Sequence, residues 1–534
     1  MTKRRASDTP ADRALKRAAI GDLRYSLPMM SQRALVAICE WSQRYGGLPD
    51  VRSTKEVRRA RADASTNIAT PYGQLTQSHV FDGVSVEMVN PWSLIYHVMG
   101  TSSAFSELVL KVVVDGVLTL ILYCDEVTPG NQMLHKNPRK VQTIYFSFEE
   151  FGPALSNEEL WLPGTVFASD KVAQIDGGWS RVIGHFVKLF FNTDPARNLT
   201  ITGINVKLHR TGERFHLFAK FGDSLMDELA ASNQVFNAKG ASGLKVCKWC
   251  CNVFNAKTPR DSVHSDPWAV LHDESNTKRF VMHTPETYAQ VAADLKAAST
   301  AMSSTEFQEY QTALGFNYNP GGILQDDDLM SIMEPSKHSI ADWMHVLLVN
   351  GVLDVSFGQF MKAMKTTSFT FASARAFCGL WSWPKILGGH NGLRTLSESR
   401  AKVTLESGVF KAEASDARSI MPVIAYLLRE TLNTTSCAFT DRQKAMCQCA
   451  LHLMGVLYEL ECSMRSTCNL EKLEYHARMH MSEFVRPTFD HQKAGEGGIG
   501  AYSGLSCLAM VDVWVGAWGL GGSGWGRGCT ATRM

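Results

Sequence analysis

The chain has 534 residues, room for three to four domains of about 150 residues or for one large core carrying an insertion. Its 45% hydrophobic and 20% charged content excludes a wholly disordered chain, and 41 Gly and 18 Pro without a period exclude a collagen-like one. A net charge of +2 removes bulk charge as an argument for nucleic acid or membrane, and 13 Cys, odd in number and with Cys250 beside Cys251, suit a reducing compartment better than a disulfide scaffold.

The charge is uneven along the chain. Residues 1–62 hold 14 Lys/Arg against 6 Asp/Glu, a local +8 that leaves the remainder at −6. This basic arm includes Arg4, Arg5, Arg58 and Arg59, residues suited to phosphate contact and to a nuclear import signal; a solvated terminus explains them equally well. The apolar spacing of Leu35, Ile38 and Trp41 predicts a helix over 31–43. No apolar run of a secretory signal follows Met1, and the longest apolar run, Leu108 to Cys124, is broken by Lys111, Asp115 and Gly116, so no membrane span is expected.

From about residue 104 the pattern predicts strands at 108–114, 117–123, 141–148, 199–208 and 215–221, with a helix over 171–191 before the last pair. The run Val117 to Tyr123 is apolar enough for a buried central strand. After Gly243 come Cys, His and Trp in polar loops, then helices at 285–301 and 304–314 and a loop at 315–322. Helices are predicted over 340–355, 413–432 and 441–464, and the Gly- and Trp-rich end carries no usable period. Strands first and helices later exclude a TIM barrel or doubly wound sheet and predict an α/β (α+β) fold, a mixed sheet interrupted by a largely helical insertion. The expected divisions are a basic arm at 1–62, a strand-rich part at 63–240, a Cys- and His-containing insertion at 241–400, closing helices at 401–470 and a poorly specified tail at 471–534.

Tyr123-Cys124-Asp125-Glu126 carries a buried strand into a carboxylate, followed by a Pro-Gly turn at Pro129-Gly130. Such a carboxylate is positioned by the sheet yet open to solvent, although Asp is also an ordinary turn residue. The run Phe215 to Gly222 is read as a second apolar strand, ending in Asp223. Glu413 and Asp416, three apart on a later helix, offer a third acid. Three such groups would hold two Mg²⁺ or Mn²⁺ ions about 4 Å apart and activate a water or 3′-hydroxyl against a phosphodiester. Cys247 and Cys250 have the spacing of two zinc ligands, with His264, His272, His283 or His345 to complete the set; buried idle thiols are the other reading. Asp342 and His345, at the head of an apolar helix, have an ordinary explanation as a cap and a core histidine.

In order, these pieces resemble the cut-and-paste DDE transposases of the CACTA type and their Plavaka-like relatives. The matching strings are Asp125 to Pro129, Phe215 to Asp223, Gly243 with Cys247 and Cys250, Arg279-Phe280 to His283, Asp342 with His345, and the helix bearing Glu413 and Asp416. The resemblance covers roughly residues 100–430. It implies an RNase H-like fold, a helical insertion between the second and third acids, and metal-dependent cleavage and transfer of DNA strands.

On that reading Asp125, Asp223 and Asp416, with Glu413 in reserve, are the catalytic metal ligands for Mg²⁺ or Mn²⁺. Cys247, Cys250, His283 and His345 are the zinc set. Lys136, Arg139, Lys140 and the basic arm contact phosphates. The expected partners are transposon ends and target DNA, with a homo-oligomer in the nucleus and no membrane. The rival expectations are a catalytically inactive DNA- or protein-binding module on the same scaffold and a zinc-organised interaction protein.

Overall fold

The computed structural model describes residues 68–493 except 128–139, 227–228, 256–257, 260–261, 264, 273, 275, 342, 349–350, 382–392, 436–438 and 464–467. The compact unit that begins at Ala69 contains every element described below. The helix expected at 31–43 lies outside the described residues.

A two-residue strand pair (Ala69–Thr70 with Gly73–Gln74) and two longer strands precede the region where strands were expected. β1 (Thr76–Phe81) and β2 (Val84–Val89) form a hairpin closed by Asp82-Gly83, with φ of 49° and 83°. A two-residue hairpin turn with positive φ at both positions matches the twist of its strands, and Asp-Gly adopts it with little strain. Asn90 then caps α1 (Pro91–Thr101), its side chain accepting from the amides of Trp92 and Ser93. The strand expected at 108–114 is instead a helix, α2 (Ser103–Val112). Ser102 accepts from the Phe105 amide at its start, and Phe105, Ser106 and Val109 fall on one buried face. Cap and face together outweigh the β-branched composition.

The sheet is built by β3 (Val117–Val127), β4 (Val141–Phe148), β5 (Leu162–Ala168), β6 (Ile204–Lys207), β7 (Arg214–Met226) and β8 (Ser339–Ala341), with α3 (Gly178–Phe190) between β5 and β6. Its order is β8-β7-β3-β4-β5-β2-β1, with β6 pairing β7. β3, β7 and β8 run parallel; the other pairings are antiparallel. β3 is central, as its apolar run predicts. Residues 199–203, expected as strand, form turns instead, and the helix expected over 171–191 is continuous only from Gly178.

β7 carries a bulge. Leu120 pairs with Phe221 but Ile121 pairs with Asp223, so Gly222 is the extra residue. A Cβ there would lie 2.4 Å from Thr119 Cγ2, which only glycine avoids. The strand therefore continues through Asp223 to Met226. This corrects the expectation that Asp223 ends it.

One face of the sheet buries Leu118, Leu120 and Leu122 of β3 and Ile144, Phe146 and Phe148 of β4. α3 packs over it with Val182, Phe186 and Phe190, and the Phe146 and Phe190 rings meet edge to face at 5.0 Å. Each such side chain contributes roughly 1.5–3 kcal/mol through burial. Between β7 and β8 the chain leaves the sheet for α4 (Leu229–Val235), the Cys- and His-bearing loops, α5 (Pro285–Ala301) and α6 (Ser304–Leu314). Side-chain capping boxes start α5 and α6, and both have the bounds their sequence predicts.

A second core is mostly helical, joined by Cys247, Trp249, Cys250, Val253 and Val270 from the insertion. It gathers α7 (Trp343–Leu348), α8 (Val352–Ala363), α9 (Phe371–Gly379), α10 (Glu398–Ser407), α11 (Ala414–Thr435), α12 (Asp441–Ser463) and α13 (Leu470–Lys493) around Phe360, Phe410, Ile420, Leu453 and Met481. The single helix expected over 340–355 is divided, because Ile340 pairs with Leu225 in the sheet and Gly351 caps α8. Residues 471–493, expected to be poorly specified, belong to α13. Its His480 is fully buried, 3.2 Å from Cys449 Sγ and 3.2 Å from Ser356 Oγ. The residues after 493 lie outside the described set. Among the described residues, no helix is long and apolar enough to cross a membrane.

Candidate functional site

Asp125 sits near the C-terminal end of the central strand, still paired with Thr143 of β4. Thr143 Oγ1 donates to the Asp125 carbonyl at 3.1 Å, which fixes the backbone there. The side chain is half-buried and lies on the face shared by Ile121 and Tyr123, opposite the leucines of the core.

Asp223 pairs with Ile121 and so faces the same way as Asp125, but four residues lower. At about 3.3 Å per residue the two positions are offset by about 13 Å along the strands. Two aspartates so far apart cannot both reach one ion at about 2.1 Å. Asp223 is instead buried at 7% exposure. Burial, with repulsion from Glu149, pushes its carboxyl up to about 7. Burial likewise pushes Glu149 up to about 7, with Glu150 adding to the rise and Lys220 opposing it. Glu150 holds the start of β3, both of its oxygens accepting from the Thr119 amide at 2.9 Å. Beside Asp223, His338 Nδ1 donates to the Gly222 carbonyl, and Ser224 Oγ donates to the His338 carbonyl at 3.0 Å. Sequence reading passed over Glu149 and Glu150, although their signal is plain: a Glu pair directly after an apolar strand.

The register points to another carboxylate. Cys124 pairs with Met226, and the residues next in sequence are Asp125 and Asp227. Asp227 lies outside the described residues.

The third acid lies on a helix of the second core. Asp416 is buried at the start of α11 and accepts from Arg394 Nε at 3.0 Å, against the helical core. Glu413 is exposed, its carbonyl accepting from the Ala417 amide. Asp125, Asp223 and Asp416 therefore form no cluster. Among the described residues, no group of three or more His, Cys, Asp or Glu is placed to hold a metal ion.

Cys247 and Cys250 are buried free thiols. A hydrogen bond from Cys250 holds Cys247 below the usual thiol range. His283 is buried, and burial pushes its imidazole down to about 4. Its Nδ1 meets Thr287 Oγ1 at 3.0 Å, while Nε2 is buried without a hydrogen-bond partner. Cys250 bridges to Met282, and the His283 amide donates to the Trp249 carbonyl, so the backbone of His283 stands opposite Trp249. The side chain of His345 and all of Asp342 lie outside the described residues.

Of the residues expected to meet phosphate, Lys140 is described, and it pairs with Glu126 at 2.7 Å. Arg4, Arg5, Arg58, Arg59, Lys136 and Arg139 lie outside the described residues. Comparison with family models and with curated proteins finds no match.

Proposed function

We propose that the protein is a DDE-type transposase or a transposase derivative that cleaves and joins DNA strands with divalent metal. The observation that carries this reading is the strand order β8-β7-β3-β4-β5, with β4 alone running against the other four, and an aspartate near the C-terminal end of its central strand. That order and those directions are the ones an RNase H-like sheet requires, and the excursion between β7 and β8 supports a helical insertion.

Asp125 would be the first ligand for Mg²⁺ or Mn²⁺. Such ions supply a lowered water pKa and a clamp on the scissile phosphate. The donor set fits in part: a buried acid crowded by a second one, as Asp223 is by Glu149, is relieved by a nearby cation. Asp223 and Asp227 are rival second ligands, and Asp416 or Glu413 the third. Zinc, held by Cys247 and Cys250 with His283 or His345, fits the buried thiols and the unpartnered His283 Nε2. Transposon ends and target DNA, a homo-oligomer and a nuclear setting belong to the same proposal.

The test is Mn²⁺-dependent nicking of supercoiled DNA. Asp125→Asn abolishes it with the thermal midpoint retained, and unchanged nicking rejects the assignment. Asp227→Asn against Asp223→Asn decides the second ligand. A second reading, an inactive module on the same scaffold, is favoured by the Asp416–Arg394 ion pair. It predicts DNA binding with no nicking in any divalent metal.

A further inference from the structure

The helical half holds an apolar cavity of about 430 Å³ between α11, α12 and α13, in the size range of small-ligand sites. Met421, Ala425, Leu451 and Met454 are among its walls; Arg418 and Arg429 also line it, and among the described residues no acidic side chain does. On α11, Pro422, Tyr426 and Arg429 follow at helical spacing along one stripe, so Tyr426 stands beside the cavity residues. Tyr426 is 47% exposed and belongs to an aromatic cluster: Phe377 stacks on it with centroids 6.2 Å apart, and the 42% exposed Trp381 meets it edge-on at 5.9 Å. Tyr458, from α12, lines the cavity and is 67% exposed.

Exposed rings grouped in this way mark an interaction surface. Flat apolar surfaces beside guanidinium groups match one chemistry best: unstacked bases on rings, with backbone phosphates on arginine. The apolar interior rejects a phosphate but accepts a base, which leaves the anionic backbone to the arginines.

We propose that this surface binds single-stranded nucleic acid, with one base in the cavity, its neighbours on Tyr426 and Trp381, and phosphates on Arg418 and Arg429. The proposal rests on the DNA reading above for the class of polymer and adds to it a second surface for a melted strand.

Fluorescence anisotropy with the full chain tests it, using a labelled 20-nucleotide single strand and the duplex of the same sequence. The variants Tyr426→Ala, Tyr458→Ala and Arg429→Glu change exposed side chains, and their thermal midpoints are checked first. Wild type is expected to prefer the single strand. Each Tyr variant weakens that binding about five-fold or more, as loss of one stacked base does, with duplex affinity within two-fold. Arg429→Glu also makes the single-strand affinity less salt-dependent. If wild type binds duplex and the variants leave single-strand affinity unchanged, this proposal falls and the DNA reading stands. If wild type binds neither form but a fluorescent fatty acid enters the cavity, the cavity serves an acidic amphiphile, and both the proposal and the DNA reading fall.

Discussion

The sheet half holds an acid pair, Asp223 with Glu149, and the helical half buries a histidine, His480. Under the sheet, Asp223 and Glu149 are acids pushed up to about 7, mainly by burial. In the helical core, His480 is a base pushed down to about 4 by burial, yet Cys449 and Ser356 lie within hydrogen-bond distance of its ring. Both groups are held towards neutrality by lack of water. The difference lies in what surrounds them: His480 has neutral partners that suit its uncharged form, whereas Asp223 faces a second acid. A like-charged pair is the less settled arrangement and the one a cation would relieve, which is why the sheet half draws the catalytic proposal.

That contrast can be broken or sharpened by experiment. The largest expected effect is on nicking: Asp125→Asn lowers it to background, whereas Arg394→Ala, which releases Asp416, leaves nicking intact if Asp416 is only structural. A changed Mn²⁺ requirement in Arg394→Ala would return Asp416 to the metal site. Next come the two cores. Phe186→Ala and Phe360→Ala each remove a fully buried ring and should cost about 3–5 kcal/mol in urea unfolding. Equal costs would make the halves equivalent as packing and leave only their ionisable groups to distinguish them.

The pH responses should be smaller and opposite in sign. Folded Asp223 keeps a proton that the unfolded chain gives up above about pH 4, so its contribution is complete below that and lost as pH rises through about 7. In a chelator, Asp223→Asn should therefore be more stable than wild type at pH 8, by on the order of 2 kcal/mol, and no different at pH 4. His480 runs the other way: its contribution is complete above about pH 6.5 and lost as pH falls towards 4. His480→Gln should flatten that acid slope while costing about 1–3 kcal/mol at pH 8 through its buried partners. Thermal midpoints across pH 4–8 read both. Parallel slopes in the two variants would remove the contrast. Last, a zinc assay on the purified chain should find one ion per chain, lost in Cys247→Ser.

Much of the sheet was legible in the sequence. The apolar run Val117 to Tyr123 announced a buried central strand, and the alternation in Val141 to Phe148 announced its neighbour. α5 and α6 were equally plain, because helical spacing agrees with the capping residues Thr284 and Ser303 at their starts. The stretch at 108–114 misled because β-branched residues also fit a helix once Ser102 caps it. The hairpin at 76–89 was readable from Asp82-Gly83 but overlooked. The site was less legible. Asp125 stood out by position, but the face that Asp223 takes depends on one bulge, and the Arg394 pairing of Asp416 depends on tertiary packing. Neither leaves a trace in local pattern.

The extra glycine of β7 works like a frame marker. With Gly222 left out of the pairing, Met226 keeps step with Cys124; had every residue been counted, Met226 would stand level with Asp125 itself. One uncounted position therefore chooses which side chain accompanies the central aspartate. Deleting Gly222 would flatten the bulge and leave that choice unchanged, whereas forcing Gly222 into the pairing would shift it by one place.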